Sequence, residues 1–196
     1  MADTKAKAPE AVKESAVKSM LVPIIVLVAI CVICSALLAY LNSMTAPIIE
    51  ENTKAATLAS YLSVMPEGTK AEDLTDMENL TTEGVEGAVK AADGTVAVKA
   101  SANGYSGKAV TVYAAFAADG TVSNLSVDAS TQTTGIGSKT GEESFSQGFV
   151  GWNTSEQVSA GQPVDAIAGA TISSNAVIKA LNEAIDCYNN EIAGVA

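Results

Sequence analysis

The chain has 196 residues, with 22 Asp and Glu against 11 cations, all of them Lys, a net charge of -11, and neither His nor Arg. These counts exclude a His base, a His metal ligand and an Arg clamp. They also disfavour a nucleic-acid partner, because phosphate recognition depends on clustered Lys and Arg.

Residues 1–19 read as a cytoplasmic tail carrying Lys5, Lys7, Lys13 and Lys18. No charged residue occurs from Ser19 to Ile49, and Met20 to Leu41 is almost wholly apolar. At about 1.5 Å per residue this run makes roughly 33 Å of helix, enough to cross a bilayer core. It predicts a transmembrane helix over 20–42. A cleaved signal peptide is the alternative, with Ser43 to Ala46 as its small-residue site, but its apolar region is usually only about 7 to 15 residues. Ile30 and Ile33 stand before Cys31 and Cys34, where a lipoprotein signal needs a small residue. The two Cys therefore read as packing residues of the helix, or as ligands of a metal or cluster shared with a partner. Lysines crowd the N-terminal flank and only Lys54 follows closely on the other side. The positive-inside rule puts the N-terminus in the cytoplasm and residues 43–196 outside it. Residues 42–196 hold 7 Lys and 19 acids, so the acidity (-12) belongs to this portion. It contains one Cys, Cys187, and so no internal disulfide.

Ile48, Ile49, Ala56, Leu58, Tyr61, Leu62 and Met65 recur at helical intervals until Pro66, which predicts a second helix over 47–65. Residues 67–84 are polar and acidic and read as an exposed loop. Val85–Ala92, Thr95–Ala102, Ala109–Ala118 and Thr121–Val127 read as strands. Asp93-Gly94 and Asp119-Gly120 are hairpin turns between them. A Gly/Thr loop (Thr131 to Gly137), a short helix (Glu142 to Val150) and a last strand (Pro163 to Ile167) follow. Ala176, Val177, Ala180, Leu181, Ala184, Ile185 and Tyr188 share one face of a final amphipathic helix. The fold class is α+β: one transmembrane helix, then a domain with an antiparallel sheet flanked by helices.

Ala168-Gly169-Ala170-Thr171-Ile172-Ser173-Ser174 is small, rich in hydroxyls and opens that helix. Its residues serve as an ordinary N-cap and turn, or alternatively as an anion site where free N–H groups and the helix dipole face a phosphate.

Asp165 to Ser174 resembles the flavinylation motif of the covalent FMN-binding domain, found in the G subunit of Rnf electron-transport complexes and the C subunit of sodium-pumping NADH:quinone reductases. The resemblance implies that a flavin transferase joins FMN through its phosphate to Thr171. Asp165, Gly169, Ala170, Ser173 and Ser174 match the motif around it, and Ala168 stands where Ser or Thr is frequent. Gly104-Tyr105-Ser106-Gly107 resembles the family's glycine-tyrosine turn. Thr133 to Lys139 resembles its loop near the flavin, with Gln132 and Thr134 in place of a frequent acid and proline. Tyr61 to Pro66 resembles the segment after the anchor. Residues 20–190 are thus covered, and the short chain is closer to the Rnf subunit. Tyr105, Thr133, Gly135, Ile136, Gly137 and Trp152 are the candidates for contact with the flavin, with core packing as the alternative for Tyr105 and Trp152.

The resemblance implies an electron carrier in the bacterial inner membrane that relays electrons between ferredoxin and NAD only indirectly, through other membrane subunits that move Na⁺ or H⁺. Such a subunit belongs to a translocase and is not a complete enzyme alone. The acidic domain is expected to lower the flavin potential. Two alternatives stand: a flavin subunit of another extracytoplasmic reductase, or a cofactor-free adhesive β-domain. Sequon-like triplets at Asn79, Asn124 and Asn153 suit the last.

Overall fold

The computed structural model describes residues 10–193, with side chains from Met20 onward. Lys5, Lys7, Lys13 and Lys18, on which the orientation argument rests, lie outside the described side chains. The chain divides into two compact units, Met1–Lys54 and Ala55–Ala196.

Helix α1 spans Glu10–Val64. The two helices expected over 20–42 and 47–65 are therefore one. The polar stretch between them stays helical, with the Ser43 and Thr45 hydroxyls turned back onto the carbonyls of Tyr40 and Leu41 in the preceding turn. Its apolar stretch from Met20 is long enough to cross a membrane by length and composition. There Leu21, Ile24, Ile25, Leu27, Val28, Leu37 and Leu38 are all exposed, as side chains facing lipid would be.

In the second unit five strands, β1 (Thr75–Met77), β2 (Val85–Lys90), β3 (Val96–Asn103), β4 (Ala109–Phe116) and β5 (Val122–Asp128), form an antiparallel meander in chain order. Both Asp-Gly turns are present. In each, glycine takes the left-handed conformation (φ 92° at Gly94, 77° at Gly120), and the Asp carboxylate accepts from the N–H two residues on. Alternation along the strands sorts the two faces. Val96, Val98, Ala100, Val110, Val112, Ala114 and Phe116 lie in one buried cluster, and Ala97, Tyr113 and Ala115 lie in another.

Helix α3 (Thr171–Cys187) covers the first face through Val177, Ala180, Leu181, Ala184 and Ile185. A π-helical turn, Tyr188–Ile192, continues it. There the Tyr188 hydroxyl donates to the Ala117 carbonyl at 3.0 Å, and its ring stacks on Phe116 at 4.8 Å. The last turn of α1 covers the second face. Tyr61, Val64 and Met65 pack there, and Tyr61 meets Tyr113 edge-on at 5.5 Å. Burial pushes the Tyr61 hydroxyl well above its ordinary pKa.

Two expectations fail. Residues 67–84 are not wholly loop: Thr75–Met77 is an edge strand paired with β2, and its exposed polar residues hide it from pattern reading. Pro163 to Ile167 is not a strand. Pro163 has no N–H to give a ladder, and the Ile167 N–H donates to the Ser174 hydroxyl at 3.0 Å. Between these, α2 (Glu143–Ser146) and a 3-10 turn at Gln147–Phe149 bury Phe145 and Phe149, as the helical reading of that stretch expects.

One buried group carries a pH dependence. Oε2 of Glu183, on α3, is buried with no hydrogen-bond partner among the described residues, and a Cβ on Gly84 would collide with this carboxylate. Burial raises its pKa above the usual 4.5, against the opposing pull of Lys179. The folded state thus holds the proton more tightly than the unfolded chain. That contribution is complete below about pH 4.5 and is lost as pH rises through the raised value. Glu183→Gln is expected to flatten this decline and to raise the thermal midpoint at neutral pH. Parallel melting profiles of variant and parent between acid and neutral pH would refute it.

Candidate functional site

Three segments meet at one end of the sheet, where β3 ends, β4 begins and β5 ends. The first is the turn Gly104–Gly107, in which Ser106 and Gly107 both take positive φ (58° and 71°). The second is the loop after β5. There the N–H groups of Ile136 and Ser138 both donate to the Thr133 carbonyl, and Gly135 supplies a φ of 76° that a side chain would strain. The third is the entry to α3, where Gly169 (φ 79°) turns the chain into the helix.

Between them lies a cavity of about 500 Å³ lined by Tyr105, Thr133, Ile136, Gly137, Gly169, Ala170, Thr171, Ile172 and Ser173. That volume is in the range of small-molecule sites. Thr171 is the first residue of α3, and its side chain is exposed. No side chain caps the helix, which leaves its first-turn N–H groups without a capping acceptor, the feature that lets a helix start bind an anion. Three large apolar side chains line the same cavity while staying half exposed: Tyr105 at 54%, Ile136 at 49% and Ile172 at 55%. Among the described residues beyond α1, Val150 is the remaining large hydrophobic so exposed. An apolar concavity beside an uncapped helix end suits a flat aromatic ligand carrying a phosphate. Among the described residues no charged side chain lines the cavity.

Of the residues expected from sequence, the structure brings Thr171, Gly169, Ala170, Ser173, Thr133, Ile136, Gly137 and Tyr105 to this cavity. Gly135 shapes the loop without lining it. Asp165 is exposed on the approach to α3. Ser174 is fully buried behind the cavity, where its hydroxyl accepts from Ile167. Trp152 is elsewhere. It packs against the main core, its indole N–H donates to the Glu156 carbonyl at 2.8 Å, and its own carbonyl accepts from Val122 at the start of β5. The cavity lies past the other end of that strand, roughly 20 Å away at about 3.3 Å per residue.

Sequence reasoning missed Ile172 and the role of Gln132. Ile172 is a large apolar residue in the first turn of α3 but off its buried face, a signal that was readable. Gln132 is a buried polar residue that ties the three segments together. Its Oε1 accepts from the Tyr105 N–H at 3.0 Å and the Ser173 hydroxyl at 2.9 Å, and its Nε2 donates to the Lys108 carbonyl at 3.0 Å and to the Thr131 hydroxyl at 3.1 Å.

Comparison with known families agrees with this geometry. Residues 104–186, which hold all three segments, match the FMN-binding domain. The class of the site is therefore a flavin-binding one. Residues 15–64 match the RnfG N-terminal region. With both regions in this order, the chain is an RnfG-type subunit, a flavin-binding component of an Rnf complex with other subunits. No curated protein matches the chain significantly.

The FMN-binding match removes the grounds for a cofactor-free adhesive domain. Two of the sequon asparagines also hold contacts within the fold: Asn124 donates to the Ser63 carbonyl and Asn153 accepts from the Ser155 N–H.

Proposed function

We propose that the chain carries FMN covalently, through a phosphoester on Thr171, and relays electrons within an ion-translocating ferredoxin:NAD oxidoreductase of the Rnf type. The observation that carries the reading is the placement of an exposed threonine hydroxyl at an uncapped helix N-terminus, on the rim of an apolar cavity within a matched FMN-binding domain. The flavin, when bound, supplies the redox chemistry.

The protein's share is to hold and surround it. The first-turn N–H groups and the dipole of α3 offset the phosphate charge without Arg. Tyr105, Ile136 and Ile172 supply apolar surface for the ring and displace water from it. The lining offers only hydroxyls and backbone groups, with no carboxylate or amine to shuttle protons. This composition fits an electron carrier better than an oxidoreductase acting on its own organic substrate. The acids of the domain lie off the cavity lining, so solvent and salt screen them, and their influence on the flavin potential is small in this reading.

The remaining parts follow the same reading. Residues 20–42 span the membrane once, the tail of residues 1–19 is cytoplasmic, and residues 43–196 lie outside the cytoplasm in a bacterial inner membrane. A flavin transferase matures the protein. Ferredoxin and NAD act only through the other subunits. A covalent tether suits such a location, because retention no longer depends on affinity for a cofactor that would diffuse away.

The test is direct. The full chain is produced in membranes together with a flavin transferase, denatured, run on a gel and viewed under ultraviolet light. A fluorescent band at its mass supports the reading, and a dark band overturns covalent attachment. Purification in mild detergent then shows whether Rnf-type membrane subunits come with it, as expected, or a different reductase does.

A further inference from the structure

We propose that Gln132 is the positioning residue of the site, an uncharged knot that sets the relative placement of the cavity walls and keeps the environment of the bound ring neutral. The inference rests on the flavin reading above. Gln132 is 5% exposed. Its amide can accept two hydrogen bonds and donate two, and all four are made. The four partners belong to the turn at Tyr105 and Lys108, to the loop at Thr131 and to the first turn of α3 at Ser173.

The backbone is cut to fit this side chain. A Cβ at Gly104 would lie 2.6 Å from Oε1. A Cβ at Gly137 would lie 2.6 Å from the Ser173 oxygen and 3.0 Å from the Cβ of Gln132. Two glycines are therefore required where the amide passes. Through Tyr105 and Ser173 the knot fixes two walls of the cavity, and through its own loop it fixes Thr133, Ile136 and Gly137.

The amide also matches this nest in a way that a carboxylate does not. Nε2 feeds a carbonyl and a hydroxyl, so an ionised carboxylate would turn an acceptor onto the Lys108 carbonyl and bury a charge beside the cavity. The titratable groups on and beside the packed segments are Tyr105 and Lys108 on the turn, Asp128 before the loop and Lys139 beyond it, and Asp165 on the approach to α3. All five are exposed. Among the described residues no buried cation stands ready to pair with such a charge.

The experiment compares the full chain with Gln132→Glu and Gln132→Met, each loaded by a flavin transferase in membranes and purified in detergent. Gln132→Glu is expected to lower the flavin midpoint potential at neutral pH, since a nearby negative charge disfavours added electrons. Gln132→Met is expected to shift the visible absorption bands and fluorescence yield of the bound flavin. In the flavin-free Thr171→Ala background it is expected to make the Tyr105 amide exchange hydrogen about tenfold faster. Wild-type potential in Gln132→Glu, together with wild-type spectra and exchange in Gln132→Met, overturns the proposal. Should Gln132→Met fail to fold, the potential of Gln132→Glu decides alone. A wild-type chain that takes up no flavin defeats the flavin reading by itself, and the exchange measurement still judges the knot.

Discussion

Thr171→Ala is expected to abolish the ultraviolet-fluorescent band of the denatured chain while leaving its thermal midpoint unchanged. The two halves of this result have separate causes. The hydroxyl is the attachment point in the proposed function, so its loss removes the bond outright. The fold does not depend on it, because Thr171 is the first residue of α3 and its N-cap is Ala170. No capping hydrogen bond is lost, and Ala is the better helix former by a few tenths of a kcal/mol. Exposed substitutions of this kind stay within about 0.5 kcal/mol. Thr171→Ser keeps a hydroxyl at the same place and is expected to retain part of the band. The neighbouring hydroxyls are poor substitutes. Ser173 is buried and donates to Gln132, and Ser174 is buried under Ile167. A band that persists in Thr171→Ala, located by peptide mapping on Thr133 or another residue, would remove Thr171 from the mechanism.

Much of this was readable from the residues, for identifiable reasons. The Asp-Gly turns announced two hairpins because left-handed glycine is a local requirement. The β-branched and small residues of AVTVYAAF marked a strand because strand propensity is local too. The motif at Asp165 to Ser174 pointed to Thr171, and the fold assembled most of its companions around one cavity. What failed depended on contacts that no periodicity encodes. Thr75–Met77 is a strand only because β2 offers a free edge. Trp152, set among glycine and polar residues, gave no sign of the strand end to which it belongs. Gln132 stood where the resemblance departs from its family. Its importance lies in four partners drawn from segments up to 41 residues distant, a relation that exists only in the folded chain.

The largest loss of stability is expected from Leu181→Ala. Leu181 lies in the middle of the buried face of α3, fully inaccessible, with Val177 and Ile185 one turn away on either side. The opposing sheet face is built largely from alanine and valine, short side chains with little reach into a void. A cavity at Leu181 would therefore stay open, which is the circumstance that makes such truncations costly, at about 2 to 5 kcal/mol. A domain of this size has about 5 to 15 kcal/mol in all. The thermal midpoint of the detergent-solubilised chain should fall by several degrees, about 2 to 4 °C for each kcal/mol in a domain of this size. The effect should reach the site, because α3 carries Thr171 at its first position and is held to the sheet by this face. Flavin loading is expected to fall near the new melting temperature and to recover below it, in contrast to Thr171→Ala, where no temperature restores it. A Leu181→Ala chain that melts within a degree of the parent would mean that α3 is held mainly by its ends, by Ser173 on Gln132 and by Tyr188 on the Ala117 carbonyl.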